Sequence, residues 1–187
     1  MLDKLEKIFI DNGYHIVKYV KDLDDCPCKQ SMVKAIHFDD VAVKFFKKYV
    51  INDFLKSNDL LFLMPKKNEI HFVEMKRAEG IDCADFWGKY YHSEGIKNKN
   101  IHSIFVLISI ASTYNIDRDF YAYFFDNTYP NKVRIRTSIV CNLPSHQMPF
   151  MFYLTAGGSG INFHENLRGE VDIIDCNTFE KYFLNTY

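Results

Sequence analysis

The sequence predicts an α/β protein: a mixed central sheet flanked by helices, with additional strands toward the C-terminus. Three observations predict it. Helix-like and strand-like segments interleave from residue 31 onward. Two apolar runs, 59–64 and 69–77, meet across "PKKN", a turn-forming segment, and read as a hairpin. Seventeen Phe and twelve Tyr in 187 residues favour strands and stacked packing over a helix bundle. No internal repeat, low-complexity tract or clear linker divides the chain, so residues 1–187 read as a single domain.

The elements follow in order. Residues 2–11 form an amphipathic helix stopped by Asn12-Gly13. "YHIVKYV" reads as a strand, and "KDLDDCPCKQ" as a charged loop with Pro. Ser31 caps a long helix expected to run to about Lys56. The hairpin strands come next. Asp82 caps a second helix through about residue 96. "IHSIFVLISI" is a continuous apolar run of strand length, as expected of a strand covered on both faces. "DFYAYFFDN" and "KVRIRTSIV" are further strands, "MPFMFYLT" is mixed, and "AGGSG" is a turn. A last short helix lies around "NTFEKYFLN".

Composition narrows the function classes. The net charge of −1 argues against non-specific nucleic-acid binding by overall charge, though it leaves room for a local basic groove. The longest apolar run, "SIFVLISIA", is too short to span a membrane, so no membrane partner is expected. "MLDKLEKIFIDNG" carries acids and no cleavage site, so it does not read as a targeting peptide. Five Cys, at 26, 28, 83, 141 and 176, read as thiols in a reducing cytoplasm, with no disulfide framework. "CPC" has no second pair at zinc-ribbon spacing.

The hairpin carries the chemistry. Side chains two apart on a strand share a face, so Glu74 and Lys76 point the same way as Phe72 and Ile70. A tight hairpin brings Asp59, at the start of the first strand, beside Glu74 and Lys76, at the end of the second. Two carboxylates of this kind hold Mg²⁺ or Mn²⁺ through oxygen ligands, with the Met75 carbonyl as a further ligand. Such an ion polarises a phosphoryl oxygen and activates a bound water. Lys76 would orient that water or stabilise the developing charge. The plainer alternative makes Asp59 a turn residue and Glu74–Lys76 a surface ion pair.

A helical projection of residues 32–53 gathers Lys34, Lys44, Lys47, Lys48 and His37 on one side and the apolar residues on the other. Asp39 falls inside the apolar face. A carboxylate there needs a cation, a partner or a cleft, which makes Asp39 a candidate third acid. Asp53, on a similar angle near the helix end, and His37, a ligand type for Mn²⁺, are the competitors.

"ND" at 58–59 followed by "EMK" at 74–76 resembles the motif of the PD-(D/E)XK nuclease superfamily, with Asn58 in place of the Pro. The resemblance covers about residues 31–110. It implies a restriction-endonuclease-like core: a helix, a sheet whose hairpin bears the motif, a second helix and a further strand. It also implies that Asp59 binds the metal, Glu74 is the second acid and Lys76 the catalytic lysine. An acid from the first helix, carried onto Asp39, would join them. Lys89 or Tyr90, on the helix after the motif, would contact substrate.

Lys132, Arg134 and Arg136 alternate along one strand face and could track phosphates, although a solvated sheet face has the same pattern. Two classes of function stand. One is a Mg²⁺- or Mn²⁺-dependent endonuclease, with DNA favoured over RNA and a homodimer left open. The other is a non-catalytic nucleic-acid-binding or assembly protein.

Overall fold

The structure, a computed structural model, describes residues 1–49, 56–77, 96–116, 118, 133–142 and 170–187. Helix α1 (Leu2–Asp11) buries Leu2, Leu5 and Phe9 at helical spacing. It ends at Gly13, whose φ of +67° is the left-handed conformation that a side chain would resist. Strand β1 (Val17–Tyr19) follows, then β2 (Lys34–His37) and, without a gap, α2 (Phe38–Lys48). The hairpin is β3 (Leu60–Met64) and β4 (Glu69–Lys76). Its connection is a single 3₁₀ turn over Pro65–Lys67, closed by Asn68 at φ 52°. Helix α3 (Ile96–Thr113), β5 (Arg134–Cys141), β6 (Glu170–Ile174) and α4 (Cys176–Phe183) complete the described elements.

The six strands among the described residues lie in sequence order, β1 to β6. Neighbours from β1 to β4 are antiparallel, and β4, β5 and β6 are parallel. Alternation along the strands divides the core in two. Leu61, Leu63, Ile70 and Phe72 face the buried residues of α1, α2 and α3. Leu60, Phe62, Met64, Val73 and Met75 face Phe179 and Phe183 of α4 and the loop carrying Cys26 and Cys28. A sheet buried on both sides explains why β3 is apolar along its whole length.

Three expectations need correction. The long helix from Ser31 is instead a strand and a shorter helix. Ile36 is paired with both Val17 and Leu61, so residues 34–37 extend the sheet, and the helical projection does not apply to them. The run "IHSIFVLISI" is helical. Ser103, Val106, Leu107, Ile110 and Ala111 are buried at helical spacing, while Phe105 is exposed. A short apolar run cannot by itself separate a buried strand from a helix. Finally, Cys28 and Cys176 form a disulfide. Their sequence separation of 148 residues made the pairing invisible to spacing arguments. Strand β6 went unforeseen. The helix expected at 82–96, the strand "DFYAYFFDN", "MPFMFYLT" and "AGGSG" lie outside the described residues.

Candidate functional site

The β3–β4 register places Leu60 opposite Val73, which sets Asp59 opposite Glu74 one step further on. The expected convergence is there. Asp59 Oδ2 accepts the Met75 N–H at 2.7 Å. Lys76 Nζ lies 2.5 Å from Glu74 Oε1. A strand residue's N–H and C=O project to the same edge, so the Met75 carbonyl faces the edge on which Asp59 sits.

A second lysine completes the group. Lys99 Nζ, from the first turns of α3, is 2.7 Å from Glu74 Oε1 and 3.4 Å from Asp59 Oδ1. The helix is docked by the residue before the acid. Asn58 donates its N–H to Ser103 Oγ at 2.8 Å and its amide Nδ2 to Asn100 Oδ1 at 2.9 Å. Lys99, Asn100 and Ser103 were not singled out from the sequence, and the run that contains Ser103 read there as a strand. The signal was present: Ser103 begins the buried stripe of α3, and Asn100 and Lys99 lie three and four positions before it.

Glu74 is fully buried, and both ammonium groups bind the same oxygen, Oε1. Its Oε2 is buried without a hydrogen-bond partner among the described residues. Burial and the Asp59 charge together raise the Glu74 carboxyl to about 7, against the pull of Lys76 and Lys99. Burial opposes the Lys99 charge, but Glu74 and Asp59 outweigh it and hold the ammonium protonated well above the usual lysine range. A carboxylate oxygen in this position calls for a proton or a cation.

Asp39 does not sit in the core. With the helix beginning at Phe38, Asp39 is in its first turn and exposed, and it accepts the Ser57 hydroxyl. It remains within electrostatic reach of Asp59 and Lys99. The link is structural: the Phe38 N–H donates to the Asp59 carbonyl at 2.9 Å and sets the start of α2 beside the hairpin. His37 belongs elsewhere. Burial lowers its pKa, and its charged neighbours are Lys18, Asp40 and Asp22. Asp53, Lys89, Tyr90 and Lys132 lie outside the described residues.

Arg134 and Arg136 are not brought to the acids. Arg134 pairs with Glu69 and Arg136 with His71, at the start of β4, while Glu74 and Lys76 lie at its end and on the opposite face. Among the described residues no group of three or more His, Cys, Asp or Glu is placed to hold a metal. The donors nonetheless suit Mg²⁺, which is commonly held by one or two carboxylates and keeps several waters. Two acids, an Oε2 without a partner among the described residues and the Met75 carbonyl fit that demand.

A second polar cluster resembles a nucleophile relay. His71 Nε2 is 2.7 Å from Ser138 Oγ and its Nδ1 is 3.2 Å from Glu69 Oε1. All three residues are buried beneath Tyr182 and Phe183 of α4. Ser138 sits mid-strand, paired to Val73 on one side and Asp172 on the other. Its strand edges are committed, so no backbone N–H is free to stabilise an oxyanion. The cluster therefore serves to join β4, β5 and α4. Ser138→Ala should cost about 1–2 kcal/mol in urea denaturation.

No family model matches the chain, and no curated protein or solved structure matches it. No helix among the described residues is long and apolar enough to cross a membrane.

Proposed function

We propose that the protein is a divalent-metal-dependent nuclease that hydrolyses phosphodiester bonds, with DNA as the substrate, on a restriction-endonuclease-like core. One observation carries this reading: Asp59 and Glu74 meet beside two lysines, with a buried Glu74 oxygen that has no partner among the described residues. Asp59, Glu74 and the Met75 carbonyl would hold Mg²⁺ or Mn²⁺, and Asp39, at the adjacent helix start, would act on them through its charge rather than as a ligand. The ion, when bound, supplies Lewis acidity toward the phosphoryl oxygen and a water of lowered pKa. Lys76, anchored on Glu74, orients the attacking water or offsets charge on the phosphorus. Asn58, through Asn100 and Ser103, fixes α3 against the acids and excludes water from their inner side. RNA cleavage is the variant to be tested alongside.

Lys99 favours a second reading. An ammonium already bridging both carboxylates is also what a non-catalytic charge network would contain. Metal dependence separates the two. At a hundredfold excess of Mn²⁺ over its dissociation constant, a site of this kind should raise Tm by about 5–10 °C. Asp59→Ala should abolish the rise. Cleavage assays on DNA and RNA then assign the substrate, and full activity in Lys76→Ala would refute the role given to Lys76.

A further inference from the structure

We infer that Lys99 is a resident counter-cation of the acid pair, which must be displaced before Asp59 and Glu74 can share a divalent ion. The inference rests on the metal-site reading above and concerns how that site is regulated.

Two lysines reach the acids, but they are placed differently. Lys76 extends from the same strand as Glu74 and pairs with Glu74. Lys99 comes from α3 and spans both carboxylates, at 2.7 and 3.4 Å. Its position is built rather than incidental. The Asn58 bonds to Asn100 and Ser103 lock the helix turn that carries it. Its side chain is only 19% exposed, so the ammonium has given up most of its water for the two acids. Buried carboxylates without a cation repel each other and stay costly. Lys99 relieves that cost when no ion is bound.

The same geometry makes it a competitor. The Lys99 ammonium and a divalent ion would draw on the same two carboxylates, Asp59 and Glu74, and their like charges repel each other. Its four-carbon stem allows withdrawal while the backbone of α3 stays docked. Lys76 keeps its contact with Glu74 in either state and so retains its role. Lys99 thereby sets the metal concentration at which the site opens.

Calorimetric titration with Mn²⁺ alone, in the absence of nucleic acid, tests this on the full chain. Lys99→Met should bind Mn²⁺ about tenfold or more tightly than the parent, and Lys99→Arg, which keeps the charge, should bind like the parent. Equal affinity in the parent and Lys99→Met would overturn the inference and leave the metal site standing. Absence of binding in every variant would remove the metal site and the inference with it. Should Lys99→Met fail to fold, pulsed acetylation of the parent chain reads the same property. Mn²⁺ should increase labelling at Lys99, and unchanged or reduced labelling there would count against displacement.

Discussion

Glu74→Gln should lower cleavage by at least about a hundredfold and flatten the pH dependence of stability between about pH 4.5 and 7. The activity loss follows from removing one of two charges that would hold the ion. The stability effect follows from burial. In the unfolded chain Glu74 ionises near its ordinary value of 4.5, whereas in the folded chain burial and Asp59 hold the proton on up to about 7. Between those values the folded state binds a proton that the unfolded state has lost, so stability falls as pH rises. The penalty is absent below pH 4.5 and complete above pH 7. Its size is roughly 3 kcal/mol, and the group is buried enough for solvent screening to be small. Urea midpoints measured at pH 5 and pH 8 without metal should show the fall in the parent and not in the variant. An identical slope in both would sink the assignment. Saturating Mn²⁺ should remove the penalty in the parent as well, because the ion supplies the charge that the buried oxygen lacks.

Reduction of Cys28–Cys176 should destabilise the protein by about 3–5 kcal/mol. The bond ties the loop after β1 to the first residue of α4 and closes a span of 148 residues, so the reduced, unfolded chain gains the freedom of a long loop. The seam has other fastenings: Glu180 accepts from the Ser31 hydroxyl and from the Met32 N–H, the latter at 3.0 Å. Phe179 and Phe183 also pack on Phe62, with the Phe62–Phe183 ring centroids 4.1 Å apart. The α4 face should therefore loosen without detaching. Thermal melts with and without dithiothreitol measure the loss. Alkylation after denaturation, read by intact mass, should add two more labels to the reduced chain than to the unreduced one. The same label count in both would mean that the two thiols stay free, as they would in a reducing compartment.

Arg77 extends the consequence toward the site. Its guanidinium donates to the Asp24 carbonyl at 2.9 Å, in the loop that Cys28 anchors, one residue after Lys76. The proposed cleavage should nevertheless persist in the reduced protein below its melting point, since Asp59, Glu74, Lys76 and Lys99 are held by β3, β4 and α3 rather than by α4.

Strand alternation in "EIHFVEMK" and the short "PKKN" connection were enough to bring Asp59 to Glu74 and Lys76, because a tight hairpin leaves one register in which both strands bury their apolar residues. Helix α1 and the C-terminal helix were equally legible, each having an apolar stripe and a local stop or cap, such as Asp175 accepting the Thr178 N–H at 2.7 Å. Residues 34–37 were not. Their side chains fit a helix as well as a strand, and pairing to both β1 and β3 settled the matter. Asp39 moved with that boundary, from an apparent core position to an exposed first turn.

Local pattern thus carried the hairpin and its acids, since neighbours in a strand or across a short turn are neighbours in space. Lys99, 25 residues from Glu74, and the cysteine pair, 148 residues apart, were brought to their partners by the docking of distant helices on the sheet. Packing of that kind depends on which faces meet across the fold, and no periodicity within a single segment records it.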